Sequence, residues 1–253
     1  MSNSFERHGL SHLSASQINL FSSAPSLWLL EKLLKVKGRV GCSAHRGSSV
    51  EGGVSHGLFD HSASEEDCVA KALSQYDRLT ALSGDDKRNK ERNVIPGMVK
   101  NGLALRDKGN PIRPNQGDQH RIEVMIEGVP IPFLGYLDFE FADEVIDTKT
   151  TNAIPSAMPA AHARQFSLYK TAKMEKRMRG AYISSKRMDI LTLDRDTYDR
   201  SMIEITVMAK RMEKFLSVSD DPQELAAIVS HDPSTFYWSD PAMKAEGVRV
   251  FGF

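Results

Sequence analysis

The chain has few cysteines, no long apolar run and no signal peptide, and these absences limit the class of protein it can belong to. Its two cysteines, Cys42 and Cys68, stand far apart and lack a CxxC spacing, which argues against a disulfide framework and against a zinc or iron–sulfur site. We interpret them as reduced thiols. No apolar run reaches the roughly 18 residues that a membrane-spanning helix needs, and the N-terminus lacks the apolar segment of a signal peptide. These absences predict a soluble, cytoplasmic protein with no membrane partner.

The chain also lacks net charge. Its 33 lysines and arginines balance 33 aspartates and glutamates, and the formal net charge is zero. No global positive field therefore indicates a nucleic-acid partner, and such a partner would have to be bound by a local patch. Since 253 residues are enough for a sizeable core, we predict one domain over 1–253. Its core covers about 14–185, and a helical elaboration covers 186–253.

Hydrophobic spacing and turn residues predict an α/β chain. Residues 1–12 are interpreted as a loose arm, the mixed-charge run 85–92 as solvated surface, and the aromatic tail 236–253 as irregular. A helix capped by Ser14 or Ser16 is followed by predicted helices over 26–36, 48–59, 65–82, 94–108, 162–179 and 196–216. Strands are predicted over 121–126, 129–133, 134–141, 145–150, 181–185 and 190–193.

The segment from Gly135 to Thr150 carries the strongest chemical signal. Side chains alternate along a strand, so Asp147 and Lys149 point to the same face, and a hairpin turning at 143–144 would bring Asp138 beside them. Two acids and a lysine on one sheet face are costly to bury unless they pair together or bind a cation. Carboxylates suit Mg²⁺ or Mn²⁺, which would activate a bound water, and the lysine could orient that water. A solvated surface strand is the alternative.

The order of four motifs resembles the PD-(D/E)XK nuclease superfamily, specifically its RecB-like exonuclease branch of the stand-alone type without an iron–sulfur cluster. The chain reads Gly135-Tyr-Leu-Asp138, then Asp147-Thr-Lys149, then Gln165-Phe-Ser-Leu-Tyr169. Upstream, the chain reads Arg46-Gly-Ser-Ser-Val-Glu51, where that branch has a helical Arg-Gly-x-x-Val-His motif whose histidine binds the metal. A glutamate therefore occupies the histidine position. The proline that names the superfamily is absent. His56 is a weaker candidate for the role of the histidine.

The resemblance implies a restriction-endonuclease-like core, with a central mixed β-sheet flanked by helices. It further implies Mg²⁺- or Mn²⁺-dependent hydrolysis of DNA, exonucleolytic rather than endonucleolytic, in recombination or repair, with a strand-annealing protein as a further partner. The implied catalytic residues are Asp138, Asp147, Lys149 and Glu51. The implied metal ligands are Glu51, Asp138, Asp147 and Thr148, the last through its carbonyl group.

DNA contact is expected from one stretch of the predicted helix 162–179. Residues four apart share a helix face, so the Gln165 amide and the Tyr169 phenol could bond a DNA phosphate or base edge. The set of expected DNA-binding residues is Gln165, Tyr169, Arg46, Arg164, Lys170 and Lys173. Three alternatives stay open: a catalytically inactive nucleic-acid-binding module of the same fold, a structural protein, and a hydrolase of small phosphoesters.

Overall fold

Helices pack on both faces of a mixed β-sheet in this computed structural model, which describes residues 2–115, 117 and 119–252. The helices are α1 (Ser4–Arg7), α2 (Ala15–Ser23), α3 (Pro25–Lys32), α4 (Cys42–Phe59), α5 (Glu65–Leu79), α6 (Arg88–Gly102), α7 (Ala160–Ala172), α8 (Arg195–Leu216), α9 (Pro222–Ile228) and α10 (Pro241–Phe251). The strands are β1 (His120–Val124), β2 (Phe133–Leu137), β3 (Phe139–Glu140), β4 (Glu144–Thr150), β5 (Arg177–Ile183) and β6 (Met188–Thr192). The predicted α/β class is confirmed.

The main sheet has the order β3-β4-β5-β6. β3 and β4 form the predicted antiparallel hairpin, and β5 and β6 are also antiparallel, whereas β4 and β5 run parallel and are connected through α7. A second antiparallel pair, β1 with β2, precedes the hairpin, and Asp138 alone separates β2 from β3. The chain therefore changes partner strands at a predicted site residue.

Apolar clusters cover both faces of the sheet. On one face Val145 packs with Phe166 of α7 and with residues of α2 and α8, while on the other face Ile146 packs with residues of α4, α5 and α6. Alternation along β4 consequently places Asp147 and Lys149 on the side of α7. Within the described residues, no helix has the length and apolar character needed to cross a membrane.

Three predicted boundaries near the site are wrong. The helix expected over 162–179 ends at Ala172, and Arg177–Ile183 forms β5 instead. Parallel pairing with the whole of β4 outweighs the helical propensity of that segment. The range 129–133 belongs to the connection between β1 and β2, since the second strand begins only at Phe133.

Predictions at the surface also need correction. The arm at 1–12 is packed rather than loose, because Phe5 and Leu10 are buried. The run 85–92 contributes the start of α6, and its Glu91 is buried. The tail from 236 contains a 3-10 turn and α10 rather than irregular chain alone. Met1 and Phe253, the ends of the predicted arm and tail, lie outside the described residues.

Candidate active site

Asp138 lies where the ladder between the hairpin strands stops. Its Oδ2 accepts hydrogen bonds from the Thr148 backbone N–H at 2.8 Å and from the Thr148 hydroxyl at 2.9 Å. The Asp138 carboxylate thus takes the place of a backbone carbonyl and accepts the hydrogen bond that Thr148 of β4 would otherwise donate to a neighbouring strand. Thr148, predicted as a carbonyl ligand, is seen here to orient Asp138 through its two donors.

Glu51 reaches the same place from α4. The amide nitrogen of Gln119 donates to Glu51 Oε1 at 2.7 Å and to Asp138 Oδ1 at 3.0 Å. One amide group therefore bridges carboxylates that are 87 residues apart in the chain (138 minus 51). His56, the weaker candidate, lies further along α4 and interacts electrostatically with Asp60 and Asp67 instead.

Asp147 is buried beside Lys149, as their shared strand face predicts. The Lys149 ammonium forms an ion pair with Asp147 Oδ2, and Gln165 Nε2 donates to Asp147 Oδ1 at 3.2 Å. The ammonium also lies 5.8 Å from the centre of the Phe166 ring, a favourable cation–π position. Among the described residues the Lys149 ammonium is the one partner of Asp147 Oδ2, so this ion pair is the main compensation of its charge.

The three carboxyl groups perturb one another. Burial raises the pKa of Glu51 to about 7, and the nearby Asp138 adds to the rise. Burial, then the Asp138 charge, raises the pKa of Asp147 to about 8, with Lys149 opposing. Burial likewise raises the pKa of Asp138, against the opposing effects of Lys149 and the Thr148 donors. Such clustered, raised pKa values are typical of functional sites, because packing alone does not favour buried acids.

Gln165 and Tyr169 meet the site on one face of α7. Gln165 Nε2 donates to the Tyr169 hydroxyl oxygen at 2.6 Å, and Tyr169 is itself buried. Its ring packs against Gly135, where an added Cβ would stand 2.7 Å from the ring carbon Cε1. The glycine of one motif is thus required by the tyrosine of another. Both α7 side chains are engaged with the protein rather than directed at solvent.

Arg46 is placed differently from its predicted role in DNA binding. Its guanidinium is buried, forms an ion pair with Glu91 of α6, and lies 3.4 Å from the Thr150 hydroxyl and the Asn152 side-chain oxygen. These partners hold α4 against the end of β4 and against α6. The structure therefore assigns Arg46 to the packing of the helix that carries Glu51.

The three cations expected along α7 also have partners inside the protein. Arg164 donates to Asn19 at 2.6 Å and to Glu204 at 2.8 Å. Lys170 donates to backbone carbonyls beyond the end of α7, including that of Lys176 at 2.8 Å, and Lys173 pairs with Glu140 at 3.0 Å. These contacts leave α7 without a row of unpaired cations.

A cleft of about 880 Å³ opens beside the carboxylates. Glu51 and Gln119 form part of its lining and therefore connect it to the site. The other described lining residues come mainly from α4, α5, β1, β2 and the segment before β1: Ser48, Gly52, Ser55, Phe59, Lys71, Gln75, Arg113, Pro114, Gly117, Arg121 and Tyr136. The cleft thus approaches the site from the side of α4.

In the described part of the chain, no three His, Cys, Asp or Glu side chains form a ready-made metal centre. The amide of Gln119 donates to two of the carboxylates, and the ammonium of Lys149 pairs with the third. The donor set still fits a hard divalent cation, because its groups are carboxylate oxygens and the buried Asp147 Oδ2 has only the Lys149 ammonium as a partner among the described residues. Binding of a cation there requires the Gln119 amide to withdraw or to turn its oxygen inward.

Sequence reasoning missed two contributors. Gln119 lies in a polar segment before β1 that shows no periodic pattern, and its role depends on two residues far away in the chain. Thr148 was considered only for its carbonyl, whereas its backbone N–H and its hydroxyl donate to Asp138. Strand alternation gives no signal for this contact, because it places Thr148 on the face opposite to Asp147 and Lys149.

Comparison with known proteins adds little to this geometry. No protein-family model matches the chain, and no curated protein matches it. A solved structure described as the crystal structure of SSO0001 aligns with 65% of this chain and 85% of its own, at 17% sequence identity and a TM-score of 0.33. Likeness at that TM-score carries no argument about fold or function.

Proposed function

We propose that the protein is a metal-dependent nuclease that hydrolyses phosphodiester bonds of DNA. One observation carries the proposal: Glu51, Asp138 and Asp147 come from separate parts of the chain and lie close enough that the charges of Asp138 and Glu51 raise the pKa of Asp147. Lys149 pairs with Asp147, and Glu51 lines an open cleft. Asp147 is buried and Asp138 and Glu51 are half-buried beside it, and three such acids are destabilising without a cation. A site that only bound phosphate would gain nothing from three groups that repel it.

Each residue has a role that follows from its contacts. Glu51, Asp138 and Asp147 would hold Mg²⁺ or Mn²⁺, with the Thr148 carbonyl as the further ligand that the motif resemblance implies. When bound, such an ion lowers the pKa of a coordinated water and offsets charge on the phosphoryl oxygen. Lys149 would then position the attacking water or contact the phosphate. Gln165 holds Asp147 in place, and Tyr169 supports Gln165.

The order of the four motifs supports a more specific proposal about the fold family and the mode of DNA cleavage. The α/β fold, with a β-hairpin leading into a helix and a parallel strand, is compatible with a restriction-endonuclease-like core. We extend the proposal to exonucleolytic rather than endonucleolytic action in DNA recombination or repair. A strand-annealing protein as a partner belongs to the same proposal and rests on the motif resemblance alone.

The test is cleavage of end-labelled linear DNA and covalently closed circular DNA in Mg²⁺, in Mn²⁺ and in EDTA. Lys149→Ala is compared with Lys214→Ala, which removes an exposed lysine on α8. We expect metal-dependent loss of the linear DNA only, abolished in Lys149→Ala and retained in Lys214→Ala. Thermal unfolding of both variants shows whether each remains folded.

Other outcomes would change the proposal in defined ways. Cutting of the circle, again abolished in Lys149→Ala, would keep the site but make the enzyme an endonuclease. DNA binding without cleavage in either metal would contradict the enzyme and favour the inactive binding module. Hydrolysis of a small phosphoester that DNA does not inhibit would contradict DNA as the substrate.

A further inference from the structure

The cleft beside the carboxylates carries exposed cations and aromatic rings that the motifs do not include. Lys71 on α5, Arg113 before β1 and Arg121 on β1 line it, whereas Glu51 is the one carboxylate among its described lining residues. Positive side chains of this kind can follow the phosphates of a nucleic acid. This surface differs from the α7 surface that sequence spacing had favoured.

Tyr136 is the first of two aromatic groups in the cleft. It lies on β2 directly opposite Arg121 in the antiparallel pair, and 51% of its surface is exposed. A large aromatic side chain left exposed on a strand is well suited to stack on a base. Arg121 itself pairs with Glu123 at 2.7 Å, so the phosphate contacts are expected mainly from the other cations.

Phe59 and Arg113 form the second aromatic group. The Arg113 guanidinium lies 5.0 Å from the centre of the Phe59 ring, and its Nη2 donates to the Phe59 carbonyl oxygen at 2.8 Å. A guanidinium has five N–H donors, so this arrangement leaves several for a phosphate. Planar stacking and charge are combined at the end of α4, eight residues (59 minus 51) beyond Glu51 on the same helix.

The size of the cleft limits what can enter it. About 880 Å³ is in the range of a pocket for a small molecule or a few nucleotides. In a duplex the bases are stacked on one another and do not offer their faces to side chains, whereas an unpaired strand does.

We propose that this cleft binds an unpaired DNA strand and leads its phosphates to the carboxylate site. Tyr136 stacks on a base, Phe59 supports Arg113, and Arg113 and Lys71 contact phosphates. The inference rests on the proposed function for the identity of the ligand, and it deepens it by naming a single-stranded end as the substrate class. Two lining residues of the cleft, Glu51 and Gln119, already belong to the site.

Binding is measured by fluorescence anisotropy in EDTA, with labelled oligothymidine of about 15 nucleotides and with a blunt duplex of equal length. Tyr136→Ala is matched with Tyr237→Ala, another exposed tyrosine, and Arg113→Ala with Arg200→Ala on α8. We expect the single strand to bind more tightly than the duplex. Tyr136→Ala should weaken its binding about tenfold, whereas Tyr237→Ala should leave it within about twofold.

The salt dependence gives an independent readout. Each lost phosphate contact reduces the slope of log affinity against log salt by about 0.7 for a single strand, so Arg113→Ala should show a shallower slope and Arg200→Ala an unchanged one. Repeating the series in a Glu51→Gln background removes one carboxylate that repels phosphate. Absence of binding in both backgrounds, duplex binding as tight as single-strand binding, or equal affinities for Tyr136→Ala and Tyr237→Ala would overturn the inference.

Failure of the inference is distinguishable from failure of the proposed function. Cleavage in Mg²⁺ with affinities unaffected by Tyr136→Ala and Arg113→Ala would reject the cleft and keep the nuclease. Affinities that follow these variants, without cleavage in any metal, would keep the cleft as a strand-binding surface and reject the nuclease.

Discussion

Replacing Glu51 by glutamine should stabilise the metal-free protein at alkaline pH. Glutamine has nearly the same shape, and its carbonyl oxygen can still accept the hydrogen bond from Gln119. What the change removes is a carboxyl group whose charge is disfavoured by burial and by the nearby Asp138. A substitution in the candidate active site is thus predicted to raise stability while it removes a metal ligand.

The magnitude follows from the pKa of Glu51, which rises from 4.5 in a free side chain to about 7 in the folded protein. Between these values the folded state keeps a proton that the unfolded state has released, so stability falls as pH rises through this window. The loss is complete above the folded pKa. At about 1.4 kcal/mol for each pKa unit, Glu51 lowers the free energy of unfolding by about 3 kcal/mol at pH 8 and by less than about 1 kcal/mol at pH 5.

The assay is thermal unfolding followed by circular dichroism in EDTA, from pH 5 to pH 8.5. About 3 kcal/mol in a chain of this length corresponds to a rise of roughly 5–10 °C in the midpoint for Glu51→Gln at pH 8. Glu175→Gln, at an exposed position after α7, is the matched control and should change little at either pH. In Mg²⁺ the order should reverse, because the unchanged protein gains stability from the cation and the variant gains less.

A midpoint for Glu51→Gln at or below that of the unchanged protein at pH 8 in EDTA would refute the reasoning. It would mean that the Glu51 carboxylate is already compensated by Gln119 and Lys149, and that the cluster is a stable structural network. An equal gain from Mg²⁺ in both proteins would contradict the role of Glu51 as a ligand without affecting the prediction about burial.

Three further predictions follow from individual contacts. Gly135→Ala should lower the free energy of unfolding, measured with denaturant, by about 1–3 kcal/mol through overpacking against Tyr169. Adding Tyr169→Leu should remove most of that loss, and additive effects of the two substitutions would contradict the contact. Arg46→Ala should lower the free energy of unfolding by about 3–5 kcal/mol because it leaves Glu91 buried and unpaired. The affinity of the folded protein for DNA should not change, and a loss of that affinity would return Arg46 to the DNA interface. The affinity for Mg²⁺, measured by calorimetry, should rise between pH 6 and pH 8.5, and binding should release protons, because the pKa of Asp147 is about 8 without metal. A pH-independent affinity would show that the carboxylates are ionised before the metal binds.

Gln119 occupies the space between two carboxylates of the site. Its amide nitrogen donates to Glu51 and Asp138 and thereby compensates part of their charge when no cation is present. It also lines the cleft, so it connects the carboxylates to the surface proposed to bind the strand.

The sequence by itself determined the features that depend on neighbours along the chain. The hairpin, the common face of Asp147 and Lys149, and the pairing of Gln165 with Tyr169 all follow from periods of two and four residues. Local spacing encodes these contacts because strand and helix geometry fix them before any tertiary packing.

Only the tertiary structure decided which distant residues complete the site. The bridge from Gln119 to Glu51 and the pairing of Arg46 with Glu91 join segments that no spacing relates. The strand predicted over 181–185 begins at Arg177 instead, because β4 pairs with β5 throughout. Arg164 and Lys173, predicted to contact DNA, pair with Glu204 and Glu140. Such pairings depend on the sum of many packing contacts across the fold, which exceeds the local preference of any one segment.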